Sequence, residues 1–220
     1  MKLFFKIIGI LVMLFLLYVI VVLGIEFFYI LTPSPVTKIN HQKNTDSVIL
    51  VIDVQNMLTF YDNPEKAKKY RVAPFLNSIN QAINKKSGYE VIYIRQEFPK
   101  NSFLSFILPT FPEEGDPGTE INRNIFRENS MIFTKSRADA FSNPGLQQYL
   151  NSKKIGTLYI TGLAAEACVN STIKGAVANG YRVYVIKEAV LSMRGGMPGS
   201  ERLERYRSYG TGIISVNDLK

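Results

Sequence analysis

Apolar and polar positions divide the chain into two unequal parts. From Ile7 to Ile25 nineteen residues carry no charge, most of them Ile, Leu, Val or Phe, and Lys2 and Lys6 precede them. A helix of that length crosses roughly the 30 Å of a bilayer's hydrocarbon core. Glu26 interrupts the run, and Phe27–Leu31 extends it into aromatic residues suited to a membrane interface. A cleaved leader would have a shorter apolar region followed by a small-x-small site, and neither is found. Residues 1–31 therefore read as a transmembrane signal anchor. Residues 32–46, two prolines and then polar positions, read as a linker, and 47–220 as one globular domain. The basic N-terminus favours the cytoplasmic side, which makes this a single-pass membrane protein with its domain outside the cytoplasm.

Within the domain the pattern alternates. Ser47–Asp53 (SVILVID) is a near-continuous apolar run ending in an acid, as suits a strand buried on both faces. Further strands are predicted at 89–95, 130–134, 157–161, 181–188 and 212–216. Helices are predicted at 65–86, 145–152, 169–179 and 200–209. Strands alternating with helices imply an α/β fold, a parallel sheet covered on both faces. Between Gln96 and Asn129 runs a long connection with prolines at 99, 109, 112 and 117. Its centre, Phe103–Phe111, is apolar, which fits either a segment packed on the core or a lid or subunit contact.

Composition narrows the chemistry. The net charge is +8, yet the basic residues are scattered, with no basic run interleaved with aromatics. That pattern excludes a nucleic-acid surface and fits a solvated face or attraction to acidic lipid or substrate. The single cysteine, Cys168, excludes an internal disulfide, and no CxxC or Cys/His cluster exists to hold zinc. The one histidine, His41, lies in a polar segment away from any motif. A nucleophilic Cys168 would therefore take a carboxylate and not an imidazole as its base. By residue type alone, a lone cysteine reads first as a buried structural residue. Its position argues for more: a strand ends before it and a helix begins at it, so helix N–H groups and the dipole favour thiolate. Asp53, Lys135 and Cys168 each fall at the C-terminal end of a predicted strand, the rim where parallel α/β sheets bind ligands. Each also has an ordinary reading, Asp53 as a loop cap and Lys135 as a surface ion pair.

Three stretches carry a resemblance. VIDVQN at Val51–Asn56, KSRADAF at Lys135–Phe141 and GLAAEACVNSTIKGAVANGY at Gly162–Tyr181 resemble the isochorismatase-like cysteine hydrolase superfamily. That superfamily includes nicotinamidases, N-carbamoylsarcosine amidases and isochorismatases. The resemblance implies a Rossmann-like three-layer sandwich with a six-stranded parallel sheet, and a catalytic triad of Asp53, Lys135 and Cys168. It also implies a non-proline cis peptide at Leu163–Ala164 and an oxyanion hole made by the backbone N–H groups of Ala164 and Cys168. Gln55, Leu58 and Phe141 are the substrate-binding candidates, and a homo-oligomer is expected by family analogy.

The departures matter as much. Nicotinamidases carry an Asp-x-His and a further histidine that bind a metal, whereas the matching stretch Arg95–Pro99 (RQEFP) has no histidine. Glu97 and Asp116 are the remaining oxygen donors there, without a ligand cluster, so no metal and no other cofactor is expected, and nicotinamide is disfavoured as substrate. Met57-Leu58 stands where the family has Asp-Phe, altering one pocket wall. Retention of Cys168 favours hydrolysis of a C–N bond in a small non-peptide amide through an acyl-thioenzyme. An isochorismatase-type ether or ester hydrolase using Asp53, and a catalytically silent, membrane-tethered binding module, are the competing readings. The expected partners are a small-molecule substrate and the lipid bilayer around the N-terminal helix.

Overall fold

The computed structural model describes residues 1–39, 45–85, 89–100, 102–103, 105, 112–125 and 130–219. His41 and most of the apolar centre of the 96–129 connection lie outside the described residues.

The domain is built on β1 (Asp46–Ile52), whose residues from Val48 to Ile52 are wholly buried. Its side chains alternate between two cores. Val48, Leu50 and Ile52 face one layer of helices, and Ile49 and Val51 face the other. This is why the run is apolar at every position instead of every second one. Around β1 lie β2 (Glu90–Gln96), β3 (Met131–Lys135), β4 (Ile155–Leu163), β5 (Arg182–Leu191) and β6 (Gly212–Ile214). All pair in parallel, in the order β3-β2-β1-β4-β5-β6. Strand order reverses between β1 and β4, so the crevice for a ligand opens beyond their carboxyl ends.

One face is covered by α3 (Val72–Lys85), through Val72, Phe75, Leu76, Ile79 and Ala82. The other is covered by α4 (Pro144–Ser152), α5 (Cys168–Ala178) and α6 (Ser200–Ser208), through Leu146, Leu150, Val169, Ile173 and Tyr206. Each such fully buried aliphatic side chain contributes about 1.5–3 kcal/mol. The result is the three-layer sandwich with a six-stranded parallel sheet.

The helix expected over 65–86 is two helices, α2 (Pro64–Lys69) and α3. Pro74 is the reason: its ring would clash with the carbonyl of Tyr70 in a continuous helix. The chain instead turns at Arg71, φ 60°, and the Tyr70 carbonyl accepts from the Gly196 N–H at 3.0 Å. The last strand is shorter than expected, because Ser215 and Asp218 close a capping box that starts a 3-10 turn.

The first helix, α1 (Lys2–Leu31), has no buried residue and is long and apolar enough to cross a membrane. Its last turn nevertheless touches the domain: the Ile30 carbonyl accepts from the Ala138 N–H at 3.0 Å. The segment after it is fastened as well. The N–H groups of Thr37 and Ile39 donate to the side chain and backbone oxygens of Asn179, at 2.6 and 3.0 Å, and Gln147 donates to the Thr37 carbonyl.

One close approach shapes the sheet at its reversal point. Gly162 of β4 pairs with Ile52 at φ 118°, and an added Cβ would lie 2.1 Å from the Ile52 carbonyl oxygen. Gly162→Ala should therefore destabilise the full chain in detergent by about 3 kcal/mol or more, roughly 6–12 °C in melting temperature.

Candidate active site

Three strands deliver the site. Asp53 follows β1 in a left-handed turn, φ 55°, a conformation that Asp tolerates better than most residues. Its N–H donates to the Ile94 carbonyl at 2.9 Å, tying the turn to β2. Lys135 is the last residue of β3, and Cys168 is the first residue of α5, reached from β4 through the turn 164–167. Tyr206 anchors that turn by donating its hydroxyl proton to the Ala165 carbonyl. The peptide bond between Leu163 and Ala164 is cis.

Asp53 and Lys135 meet in the interior. The Lys135 ammonium lies 2.9 Å from Asp53 Oδ2, and both side chains are almost entirely buried. The ammonium also donates to the Arg137 carbonyl at 3.1 Å and to the side-chain oxygen of Gln96. Its three protons are thus all used, as a buried cation requires. Asp53 Oδ1, by contrast, is buried without a well-formed hydrogen bond among the described residues, although the Cys168 thiol is near enough to couple to the carboxylate.

The charges of the three groups are set by burial and by each other. Burial raises the Asp53 carboxyl above its ordinary value, against the pull of Lys135 and Cys168. Burial opposes the Lys135 ammonium, but Asp53 and Cys168 outweigh it and the lysine is raised. The Cys168 thiol is pushed up to about 12, first by burial and then by the Asp53 charge, with Lys135 pulling the other way. This corrects the expectation that the helix N-terminus makes Cys168 a thiolate. The thiol is thus coupled to the Asp53 carboxylate, which favours its protonated form.

The backbone N–H groups of the turn and the helix start are the oxyanion-hole candidates. The Ala164 carbonyl accepts from Ala167 and Val169, at 3.0 and 3.2 Å, but neither Ala164 nor Cys168 donates its own N–H to an acceptor among the described residues. Cys168 opens its helix, so its N–H has no intrahelical partner.

The three substrate-binding candidates lie elsewhere in the wall. Gln55 is wholly buried, and both its amide hydrogens are taken by the carbonyls of Gln96 and Thr119, at 2.8 and 2.9 Å. It braces the loop instead of facing a ligand. Phe141 is a core residue whose ring lies tilted against Tyr181, 5.5 Å between ring centres. Leu58 packs against the α3-side core. The residue that sequence reasoning missed is Gln96. It accepts from Lys135, and its N–H donates to Gln55 Oε1 at 2.9 Å. Its place at the end of a β strand beside β1 and β3 was the available signal.

The oxygen donors considered for a metal do not fit one. Glu97 pairs with the guanidinium of Arg95 at 3.0 Å, and Asp116 accepts from the Gly118 N–H at 2.6 Å to cap a turn. No cluster of three His, Cys, Asp or Glu occurs among the described residues.

The model of the isochorismatase domain matches residues 47–218, most of the chain. The chain belongs to the isochorismatase family. It is a hydrolase of that family, and relatives show the same membership. An N-carbamoylsarcosine amidase of Arthrobacter sp is 35% identical over 63 residues, which is 29% of this chain and only 24% of that protein. A nicotinamidase of Acinetobacter baylyi is 24% identical over 196 residues, covering 73% of this chain and 89% of that one. The crystal structure of N-carbamoylsarcosine amidase from Thermoplasma acidophilum shares the fold, with a TM-score of 0.67 at 20% identity over 80% of this chain and 99% of that one.

Because the Asp53–Lys135 pair is buried, removing one partner strands the other. Lys135→Met should cost about 3–5 kcal/mol in chemical denaturation of the full chain in detergent. The charge-free double variant Asp53→Asn/Lys135→Met should recover much of that loss.

Proposed function

We propose that this isochorismatase-family hydrolase cleaves a C–N bond of a small non-peptide amide through a covalent acyl-thioenzyme on Cys168. The observation that carries this reading is the buried Asp53 carboxylate, held by Lys135 at 2.9 Å through Oδ2 and coupled to the Cys168 thiol. In the reaction, Asp53 takes the thiol proton as sulfur attacks the amide carbon. The N–H groups of Ala164 and Cys168 receive the oxyanion, a contribution worth about 3–4 kcal/mol per donor. Asp53 then returns the proton to the nitrogen as the C–N bond breaks, releasing amine and leaving a thioester. Water attacks the thioester, giving one proton to Asp53, and a carboxylic acid departs. That proton restores the thiol. Lys135 stays protonated throughout and keeps Asp53 in place.

The charge-free run Ile7–Ile25 within α1 supports membrane anchoring of the enzyme, with 32–46 joining the anchor to a hydrolase domain over 47–220. The basic residues Lys2 and Lys6 before it favour an extracytoplasmic domain.

Cys168→Ala should abolish amide turnover, by at least about a thousandfold, and remove the acyl adduct seen by intact-mass spectrometry of the wild type. A Cys168→Ala enzyme that keeps its rate while Asp53→Asn loses it would indicate ether or ester hydrolysis instead. The pH dependence has a definite sign. Protonating Asp53 removes the base, so kcat/KM should fall on the acid side through a value above the usual carboxylate figure of about 4. It should not rise through the free-thiol value of about 8.5, because the thiol stays neutral to about 12.

A further inference from the structure

The last turn of α1 meets the domain at the rim where Asp53, Lys135 and Cys168 converge. Ile30 accepts from Ala138, three residues after Lys135. The Arg137 guanidinium lies over the Tyr29 ring, 4.5 Å from its centre, while the Arg137 carbonyl holds the Lys135 ammonium. The Tyr29 hydroxyl reaches Ser136 Oγ at 3.4 Å, and Glu26 Oε1 accepts from the Phe103 N–H at 2.8 Å. Everything in α1 before these residues is unburied.

The path of the chain accounts for this. In a parallel sheet β1 must start at the edge opposite the rim. The strap therefore leaves the rim at Leu31 and reaches Asn179, at the far end of α5, before β1 begins. The helix thus joins the domain on the rim side, and a bilayer around Ile7–Ile25 would adjoin that side. Other rim residues suit such a surface. Met193 and Met197, in the loop after β5, are 62% and 59% exposed, with Arg194 between them. Exposed apolar side chains beside a cation fit a lipid–water interface with acidic headgroups. Between Ile30, Leu31 and Val36 on one side and Ala167 and Asn170 on the other lies a cavity of about 440 Å³. It lies along α5 as far as Ala178, with Ala167 at the end nearer the thiol and Glu166, Asp139 and Lys174 among its walls.

We propose that the catalytic rim rests against the bilayer and that the substrate is an amphiphilic amide taken from the lipid–water interface. This rests on the anchored-amidase reading above. The hydrocarbon part of the substrate lies toward the anchor and the cavity, and its amide lies at the thiol.

Orientation is tested without activity. Cys168 is the only cysteine, so Met197→Cys or Lys153→Cys on a Cys168→Ala background takes a single fluorescent label. The full chain is reconstituted in phosphatidylcholine vesicles with or without lipids brominated near the headgroup. The rim label at 197 should lose at least half its emission, and the label at 153, at the opposite edge, should not change. Equal quenching, or stronger quenching at 153, overturns the proposal. Substrate class is tested with straight-chain amides of increasing length on the wild-type chain in the same vesicles. About 0.8 kcal/mol per buried methylene corresponds to roughly fourfold per carbon, so kcat/KM should rise at least tenfold from acetamide to octanamide. A flat or falling series overturns the amphiphile. If no amide reacts while the rim label is quenched, the amidase reading fails and the orientation stands.

Discussion

A buried ion pair between Asp53 and Lys135 is the constraint around which this hydrolase is arranged. Two charges withdrawn from water are costly unless every remaining hydrogen-bonding site is met. Much of the local architecture serves that requirement. Gln96 and the Arg137 carbonyl complete the lysine's partners, and Gln55 fixes Gln96 by bonding both its backbone groups. The left-handed turn at Asp53 aims its carboxylate at the lysine, and the glycine at 162 lets β4 come close enough to β1 to complete the crevice. Asp53 Oδ1 is the carboxylate oxygen that Lys135 does not take, and the carboxylate is coupled to the Cys168 thiol.

The same burial decides the state of the nucleophile. A helix N-terminus favours an anion by about 0.3–1 kcal/mol, and up to ~2 kcal/mol in favourable partly buried sites. Against this stand the desolvation of the sulfur and the negative charge of Asp53, and they win. In the proposed reaction the thiol would therefore need a neighbouring base at the moment of attack. A neutral resting thiol is also less open to oxidation, which follows thiolate character and exposure.

Anchor and site are coupled through a short stretch of chain. Lys135 closes β3, and the next residues, Ser136–Ala138, carry the contacts to Tyr29 and Ile30. Asp139 follows, buried against Gly175 of α5, where a Cβ would lie 2.5 Å from its carboxylate. The glycine lets the loop sit flush on the helix that begins with Cys168. The family motif at 135–141 thus also serves in this chain as the seat of the N-terminal helix.

Periodicity and punctuation in the sequence were enough to read the strands, their parallel arrangement and the arrival of an acid, a lysine and a thiol at one rim. Those features are local, and a buried strand declares itself by an unbroken apolar run such as Val48–Ile52. Where a local rule met a conflicting one the reading failed, as at Pro74, which splits the expected long helix. Pairwise events were beyond it. That Gln96 rather than a ligand-facing residue completes the lysine's shell, that Gln55 turns inward, and that the thiol is held protonated all depend on burial and on partners about 40 to 115 residues away. The sequence alone determined which chemical groups could meet. Only the tertiary structure decided their protonation and what lay against them, because desolvation and close contact arise when distant segments exclude water together.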